Sequence, residues 1–212
     1  MKILNLYAGI GGNRKLWGDE HQITAVENNP EIALIYSKLY PKDEILVEDA
    51  HKYLLKHYKE FDFIWSSPPC PTHSVCNNFL NAQGTVRYPS MELYQEIIFL
   101  RHFFKGEWVV ENVKPYYPPL IIPQYAGRHA FWSNFAILPK KIKCEFNIAN
   151  MRASTRKTPE ENLRSLEEFH GIDLSKFETK NKRKLLRNCV NPKLGLVVFE
   201  NALNKISKGI KI

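Results

Sequence analysis

Cysteine is scarce in this chain: four stand among 212 residues, at 70, 76, 144 and 189, with no CxxC spacing. That excludes a zinc framework of paired cysteines and a dense disulfide scaffold, and it leaves buried or reactive thiols. Long hydrophobic runs are missing as well. None approaches the ~20 residues that span a bilayer, so no membrane role is expected. The opening MKILNLYAGIGG has too brief an apolar stretch for a signal peptide, and it runs into glycines and then Asn13, Arg14 and Lys15 without a cleavage-type site. There is no internal repeat and no low-complexity tail. These absences together lead to an expectation of a cytoplasmic protein.

What is present is an ordinary globular balance, 44% hydrophobic and 25% charged, in a length that fits one domain with a small appendage. The net charge of +8 favours an anionic partner. Its distribution is more informative than its size. Between Lys140 and Arg187 thirteen Lys/Arg face seven Asp/Glu, so a net of +6 lies in under a quarter of the chain.

The first 113 residues alternate strand-like and helix-like segments. KILNLYA (2–8), QITAVEN (22–28), EILVED (44–49), FDFIWSS (61–67) and EWVVENV (107–113) are short apolar runs suited to buried parallel strands. Between them, NRKLW after the first glycines reads as helical. Asn29-Pro30 opens a helix carrying Ile32, Ile35, Tyr36 and Leu39 on one face. AHKYLLKHYKE is a third helical segment, and Ser90 is the expected cap of a helix carrying Leu93, Ile97, Leu100 and Phe104. Residues 71–89 and 115–126 read as irregular, and HAFWSNFAIL reads as a further strand. A helix is expected from Pro159 to about Phe169, and a last one from Asn191-Pro192. This alternation predicts an α/β fold, a Rossmann-like sheet with helices on both faces. Ligands of such sheets bind beyond the carboxyl ends of the strands.

Three features stand at successive strand ends. Ala8-Gly9-Ile10-Gly11-Gly12 follows the first strand, where glycines let the backbone turn tightly and approach a ligand. Glu27 ends the second, placed to accept both hydroxyls of a ribose. Asp49 ends the third, where a carboxylate can take an adenine amino group; taken alone it reads equally well as a helix cap. Together the three describe an adenosine pocket. The fourth strand runs into Ser66-Ser67-Pro68-Pro69-Cys70-Pro71, in which flanking prolines hold the cysteine in an extended turn instead of letting it pack as a small hydrophobe. Cys76, Cys144 and Cys189 lack that setting and read as structural. The fifth strand ends in Glu111-Asn112-Val113, and a glutamate in a partly desolvated pocket can retain its proton and act as an acid.

In order and wording these segments resemble the cytosine carbon-5 DNA methyltransferase family. LYAGIGG resembles its glycine-rich first motif, AVENNP its ribose-binding acid and EDAHKY its adenine-contacting Asp. SPPC resembles its catalytic Pro-Cys loop, ENV its Glu-Asn-Val motif and RNCVNPKLGLVVFE its tenth motif. The resemblance implies S-adenosyl-L-methionine as cofactor, held by Tyr7, Ala8, Gly9, Gly11, Gly12, Glu27, Asn28, Asp49, Ala50, Asn188 and Val190. It implies Cys70 as the nucleophile on carbon 6 of a flipped cytosine, Glu111 as the partner of ring nitrogen 3, and Asn112 as a support of the loop. Double-stranded DNA is the implied partner and no metal is implied. Ser74, His73, Arg87, Arg128 and His129 are the implied nucleic-acid contacts. Residues 71–89 are the expected mobile loop over the base. The expected setting is a prokaryotic or phage-infected cell, near the nucleoid, with or without a companion restriction enzyme.

Four departures from the family pattern qualify that. Tyr7 replaces the usual Phe of the first motif. Pro71, Thr72, His73 and Ser74 replace Gln, a residue, Phe and Ser; Ser74 can keep a phosphate contact, and His73 reads as a DNA contact or as a structural residue. Gly127-Arg128-His129-Ala130 stands where the eighth motif offers two arginines one residue apart, so Arg128 or His129 is the substitute. The target-recognition region shrinks to 139–186, between a catalytic and cofactor domain at 1–138 and a returning helix at 187–212. The expected consequence is a short or relaxed recognition sequence. Three other readings compete: the same chemistry on tRNA, a non-catalytic cofactor-binding subunit, and a small-molecule methyltransferase. The oligomeric state stays open.

Overall fold

The computed structural model describes residues 1–138 and 158–208. Cys144 and the first part of the basic segment lie outside the described residues, as do residues 209–212. The chain begins with β1 (Lys2–Leu6), β2 (Gln22–Val26), α1 (Pro30–Leu39), β3 (Glu44–Leu46), α2 (Ala50–His57) and β4 (Phe63–Ser66). It continues through α3 (Cys76–Ala82), α4 (Glu92–Phe103), β5 (Glu107–Val113), β6 (Gln124–Ala126) and β7 (His129–Ser133). It closes with α5 (Pro159–His170), α6 (Lys182–Asn188) and α7 (Pro192–Lys208).

Among the described residues seven strands form one sheet in the order β3-β2-β1-β4-β5-β7-β6. The first five are parallel, while β7 runs antiparallel to both β5 and β6. The chain winds outward from β1 to β3, returns, and winds the other way through β4 and β5. The switch point therefore lies between β1 and β4, where crossovers diverge and leave a crevice. The α/β, Rossmann-like expectation holds.

Alternation along the strands fills both faces of the sheet. Leu4, Leu6, Ile64, Trp108, Val110 and Trp132 point to one side and pack with Leu54 of α2 and Leu93, Ile97 and Leu100 of α4. Ile3, Phe63, Trp65, Val109 and Phe131 point to the other, against Leu194, Val198, Phe199 and Ala202 of α7. A third cluster joins Leu166 of α5, Ile172, Leu174 and Leu185–Leu186 of α6 to Ile35 of α1 and Ile10 of the glycine turn. Residues 158–188 are thus packed onto the β1–α1 end of the sheet.

Local chemistry explains most boundaries. Asn29 caps α1 by accepting from the amides of Glu31 and Ile32, with Pro30 in the first turn. Thr158 and Glu161 form a reciprocal capping box on α5, which ends at Gly171 in the left-handed conformation.

Four expectations need correction. NRKLW is only a 3₁₀ turn over Arg14–Leu16. Nine residues separate Gly12 from Gln22, and Trp17 must drop into the core, where it stacks on Phe199 at 5.0 Å. The helix that covers this part of the sheet comes instead from the far end of the chain, as α7. Ser90 does not cap α4: its amide donates to Thr72 Oγ1, and the helix starts two residues later behind Met91 without a side-chain cap. Residues 71–89 contain α3, and residues 115–126 contain β6. The short helix α6 was not anticipated from the sequence.

Candidate active site

The register builds the site. Leu46, Val26, Leu6, Ser66 and Val110 lie side by side across β3, β2, β1, β4 and β5. One residue further along, the chain therefore presents Glu27, Tyr7, Ser67 and Glu111 in a row at the carboxyl edge of the central strands. The glycine turn, Glu27, Asp49, Cys70 and Glu111 emerge from this edge or from the loops just beyond it, while Asn188 and Val190 approach from the junction of α6 and α7.

On the β1–β2 side, Gly9 has φ +54° and its amide donates to Glu27 Oε2 at 3.0 Å, while Asn29 N donates to Oε1 at 3.0 Å. The Glu27 carboxylate is buried and spends one lone pair of each oxygen on these bonds, leaving one on each for a diol. A Cβ built on Gly9 meets nothing within 4 Å, so an open cradle lies over that backbone beside Glu27. Gly12 is the opposite case: its Cβ would lie 2.6 Å from Val190 O and 2.7 Å from Cys189 Cβ. The junction of α6 and α7 rests directly on the glycine turn, with Val190 buried and Asn188 exposed beside it. Asp49 is the N-cap of α2, accepting from Lys52 N at 2.9 Å; its side chain is exposed, with the second oxygen 3.9 Å from Lys52 Nζ. Ala8 and Ala50 are buried and Asn28 is exposed.

The residues around the open cradle fit an adenosyl cofactor: a diol acceptor, a second carboxylate, a glycine turn and an aromatic. That aromatic, Tyr7, adopts φ +54°, rare for a non-glycine residue. Its hydroxyl donates to Glu96 Oε1 at 2.6 Å. Glu96 is fully buried, accepts a second bond from Ser66 Oγ at 2.6 Å, and lies 3.1 Å from His51 Nδ1. Burial and this carboxylate raise the Tyr7 pKa, so the phenol stays a neutral donor, and the bond to Glu96 raises that of His51. Sequence reading missed Glu96. The available signal was an acid one residue before Ile97 in the apolar stripe of α4.

On the β4–β5 side, Cys70 is half-buried at the start of a tight turn in which its carbonyl accepts from His73 N and Ser74 N. Burial and the neighbouring Glu111 carboxylate push its thiol pKa above the ordinary value, with Arg128 pulling more weakly the other way. Asn112 Nδ2 donates to Pro68 O at 2.9 Å, and its Oδ1 accepts from Val113 N. The asparagine thereby clamps the Pro-Cys loop to β5. Glu111 is buried, with Oε1 2.5 Å from Nδ1 of His129.

The four other residues expected at nucleic acid separate. His73 is 1% exposed, with Nδ1 2.6 Å from the Tyr117 hydroxyl, and burial lowers its pKa. It anchors the loop to the 115–121 segment from a buried position, the structural of the two readings its sequence setting offers. Arg128 donates through Nη2 to the carbonyls of Arg187 and Cys189, across the α6–α7 junction. Of the two candidates for the eighth-motif cation, His129 is the one that faces Glu111. Ser74 is half-buried and bridges to Pro115, while Arg87 is exposed. Cys189 is buried and its thiol pKa is pushed up to about 12; Cys76 is exposed. Among the described residues no group of His, Cys, Asp or Glu could hold a metal ion, and no helix is long and apolar enough to cross a membrane.

Solved structures similar to the chain include a hypothetical protein of Thermus thermophilus, with 16% identity and a TM-score of 0.40 over 62% of this chain and 73% of that one. A methyltransferase of Entamoeba histolytica matches at 16% identity and TM-score 0.36, covering 53% and 38%. A DNMT2 mutant of Spodoptera frugiperda matches at 27% and 0.37, covering 53% and 35%. The chain thus spans well under half the length of the last two. No curated protein matches its sequence. The family model of C-5 cytosine-specific DNA methylases matches residues 1–115, a stretch that takes in β1 to β5 and every strand end described above. Since this match covers more than half of the 212 residues, the chain belongs to the C-5 cytosine-specific DNA methylase family, a family of S-adenosylmethionine-dependent methyltransferases.

Proposed function

We propose that this methyltransferase acts on carbon 5 of cytosine in double-stranded DNA, through a covalent adduct to Cys70, with a short or relaxed recognition sequence. The observation that carries this reading is the Pro-Cys loop clamped by Asn112, with Cys70 half-buried beside the Glu111 carboxylate.

S-adenosylmethionine supplies the electrophilic methyl group when bound. Tyr7, Ala8, Gly9, Gly11, Gly12, Glu27, Asn28, Asp49, Ala50, Asn188 and Val190 are the residues proposed to hold it, with Glu27 taking the ribose and Asp49 the adenine amino group. Cytosine carbon 5 is a poor nucleophile until carbon 6 is attacked. Cys70 is the proposed attacking group. Its thiol is protonated at rest, held so by burial and by the charge of Glu111. A protonated Glu111 removes part of that penalty, so the form of the glutamate able to donate to ring nitrogen 3 is also the form that favours the thiolate. A protonatable ring nitrogen beside an exocyclic amine also selects cytosine over thymine.

The base must leave the helix to reach this pocket. Ser74 and Arg87, on the loop after Cys70, are the proposed backbone contacts there. The basic segment 139–186 is the proposed recognition region, with 1–138 as the catalytic domain and 187–212 as the returning element. Lys176, Lys180, Arg183 and Lys184 are exposed on its described part, suited to phosphate contacts. So short a segment offers little surface for reading base edges. The test is transfer of labelled methyl from S-adenosylmethionine to mixed-sequence duplex DNA, with tRNA in parallel, by wild type and Cys70→Ser. Label on DNA cytosine that disappears in the variant is expected. Label on tRNA alone, or equal label from the variant, contradicts the proposal.

A further inference from the structure

The Glu111–His129 pair asks for an explanation that the reaction outlined above does not give. Both side chains are buried, at 7% and 5% exposure, and their facing atoms lie 2.5 Å apart. They are thus direct hydrogen-bond partners. The strands impose it: β5 and β7 pair Glu111 with Phe131 and Val113 with His129, which sets Glu111 and His129 diagonally on one face of the sheet. The eighth-motif cation is ordinarily an arginine, which holds its protons permanently. Here the partner can give its proton up.

We propose that His129 is the proton store for Glu111, a positioning residue that keeps the glutamate supplied with the proton cytosine takes during attack. This rests on the cytosine reading above. As the Cys70 sulfur, its proton released to water, bonds to carbon 6, the C5–C6 π pair moves to C4–C5 and the C4–N3 π pair moves onto nitrogen 3. Nitrogen 3 takes a proton from Glu111, and Glu111 takes one from His129 Nδ1, leaving a neutral imidazole. When carbon 5 has taken the methyl group, a water removes its proton, the C5–C6 π bond re-forms and the thiolate is expelled. Nitrogen 3 then returns its proton by the same route. No proton is gained or lost by the pair over a cycle.

The charged and titratable groups around His129 come from four elements. Glu111 is on β5, Cys70 follows β4, Arg128 precedes β7, and His170 ends α5 close enough to feel both Arg128 and His129. Arg128 is tied to the backbone carbonyls of Arg187 and Cys189 and does not compete for Glu111. The Phe131 ring, 6.1 Å from the imidazole, closes one side.

The experiment is the pH profile of single-turnover transfer to duplex DNA by wild type, His129→Gln and His129→Arg, with S-adenosylmethionine affinity measured for each. Wild type is expected to lose rate toward alkaline pH through this pair. Both variants are expected to lack that limb and to be slower by about a hundredfold, the lower range for loss of general-acid help, while cofactor affinity is unchanged. The same alkaline limb in His129→Gln overturns the proposal, since a purely structural histidine would leave the profile's shape alone. Absence of transfer by wild type is failure of the cytosine reading instead. The pair is then judged by magnetic resonance: an exchange-protected, downfield Nδ1 proton that Glu111→Ala removes supports it, and no such proton overturns it.

Discussion

Gly9 and Gly12 are three residues apart on one turn, and each is glycine for a different reason. Gly9 needs a left-handed backbone and faces open space, whereas Gly12 is pressed by Val190 O and Cys189. The two alanine variants should therefore fail differently. Gly9→Ala costs about 1–2 kcal/mol of backbone strain and puts a methyl group into the proposed cofactor cradle. The protein should stay folded at 25 °C with weaker S-adenosylmethionine binding. Gly12→Ala must push the α6–α7 junction away, so its expected effect is a lower melting temperature first. Thermal melts with and without cofactor separate the two; equal destabilisation and equal cofactor response would contradict this account. At this scale much of the site was legible. Glycine turn, acids, Pro-Cys and Glu-Asn-Val are each contiguous in the chain and stand where strands end. Arg128, His129 and Glu96 were not, because their roles depend on partners 18 to 89 residues away in the chain. Nothing local told Arg128, which holds backbone carbonyls, from His129, which faces Glu111.

Between elements, the junction of α5, α6 and β7 carries a built-in sensitivity to acid. His170, at the end of α5, is 2% exposed, and burial with the nearby Arg128 and His129 lowers its pKa to about 4. In the unfolded chain it titrates near 6.5. Between these values the unfolded state binds the extra proton and the folded state does not, so stability falls as pH drops from about 6.5 toward about 4. The lost stability is at most about 3 kcal/mol, from the size of that difference. His170→Phe should flatten the pH dependence of urea unfolding across this window. An unchanged slope would show that another group is responsible. The helices themselves show what local patterning reaches. α1, α5 and α7 begin at Asn-Pro or Thr-Pro steps that signal a start on their own. The 3₁₀ turn at Arg14–Leu16 reads as a longer helix in sequence because its brevity is dictated by Trp17 stacking on Phe199, from the other end of the chain.

For the whole molecule, the order of strands follows from the alternation of elements, and the family match rests on the half of the chain that carries that alternation. The reversed strand β7 was visible as a strand but its direction was not, since only its pairing with β5 and β6 defines it. Folding brings residues 158–188 onto α1 and the glycine turn. The exposed lysines and Arg183 of this region therefore sit on the same body as Cys70, the proposed nucleophile. That arrangement fits the proposed reading, in which DNA is gripped largely through its phosphates. In that proposal the chemistry rests on one atom, the sulfur of Cys70. The most direct measurement is to incubate the protein and S-adenosylmethionine with mixed-sequence duplex DNA containing 5-fluorocytosine, whose fluorine cannot leave as a proton does. The account predicts a denaturation-resistant protein–DNA complex, with the modified base mapped to Cys70 by peptide mass spectrometry and no complex from Cys70→Ser. Labelled methyl on ordinary DNA without any such complex, or a complex that maps to Cys76 or Cys189, would contradict it.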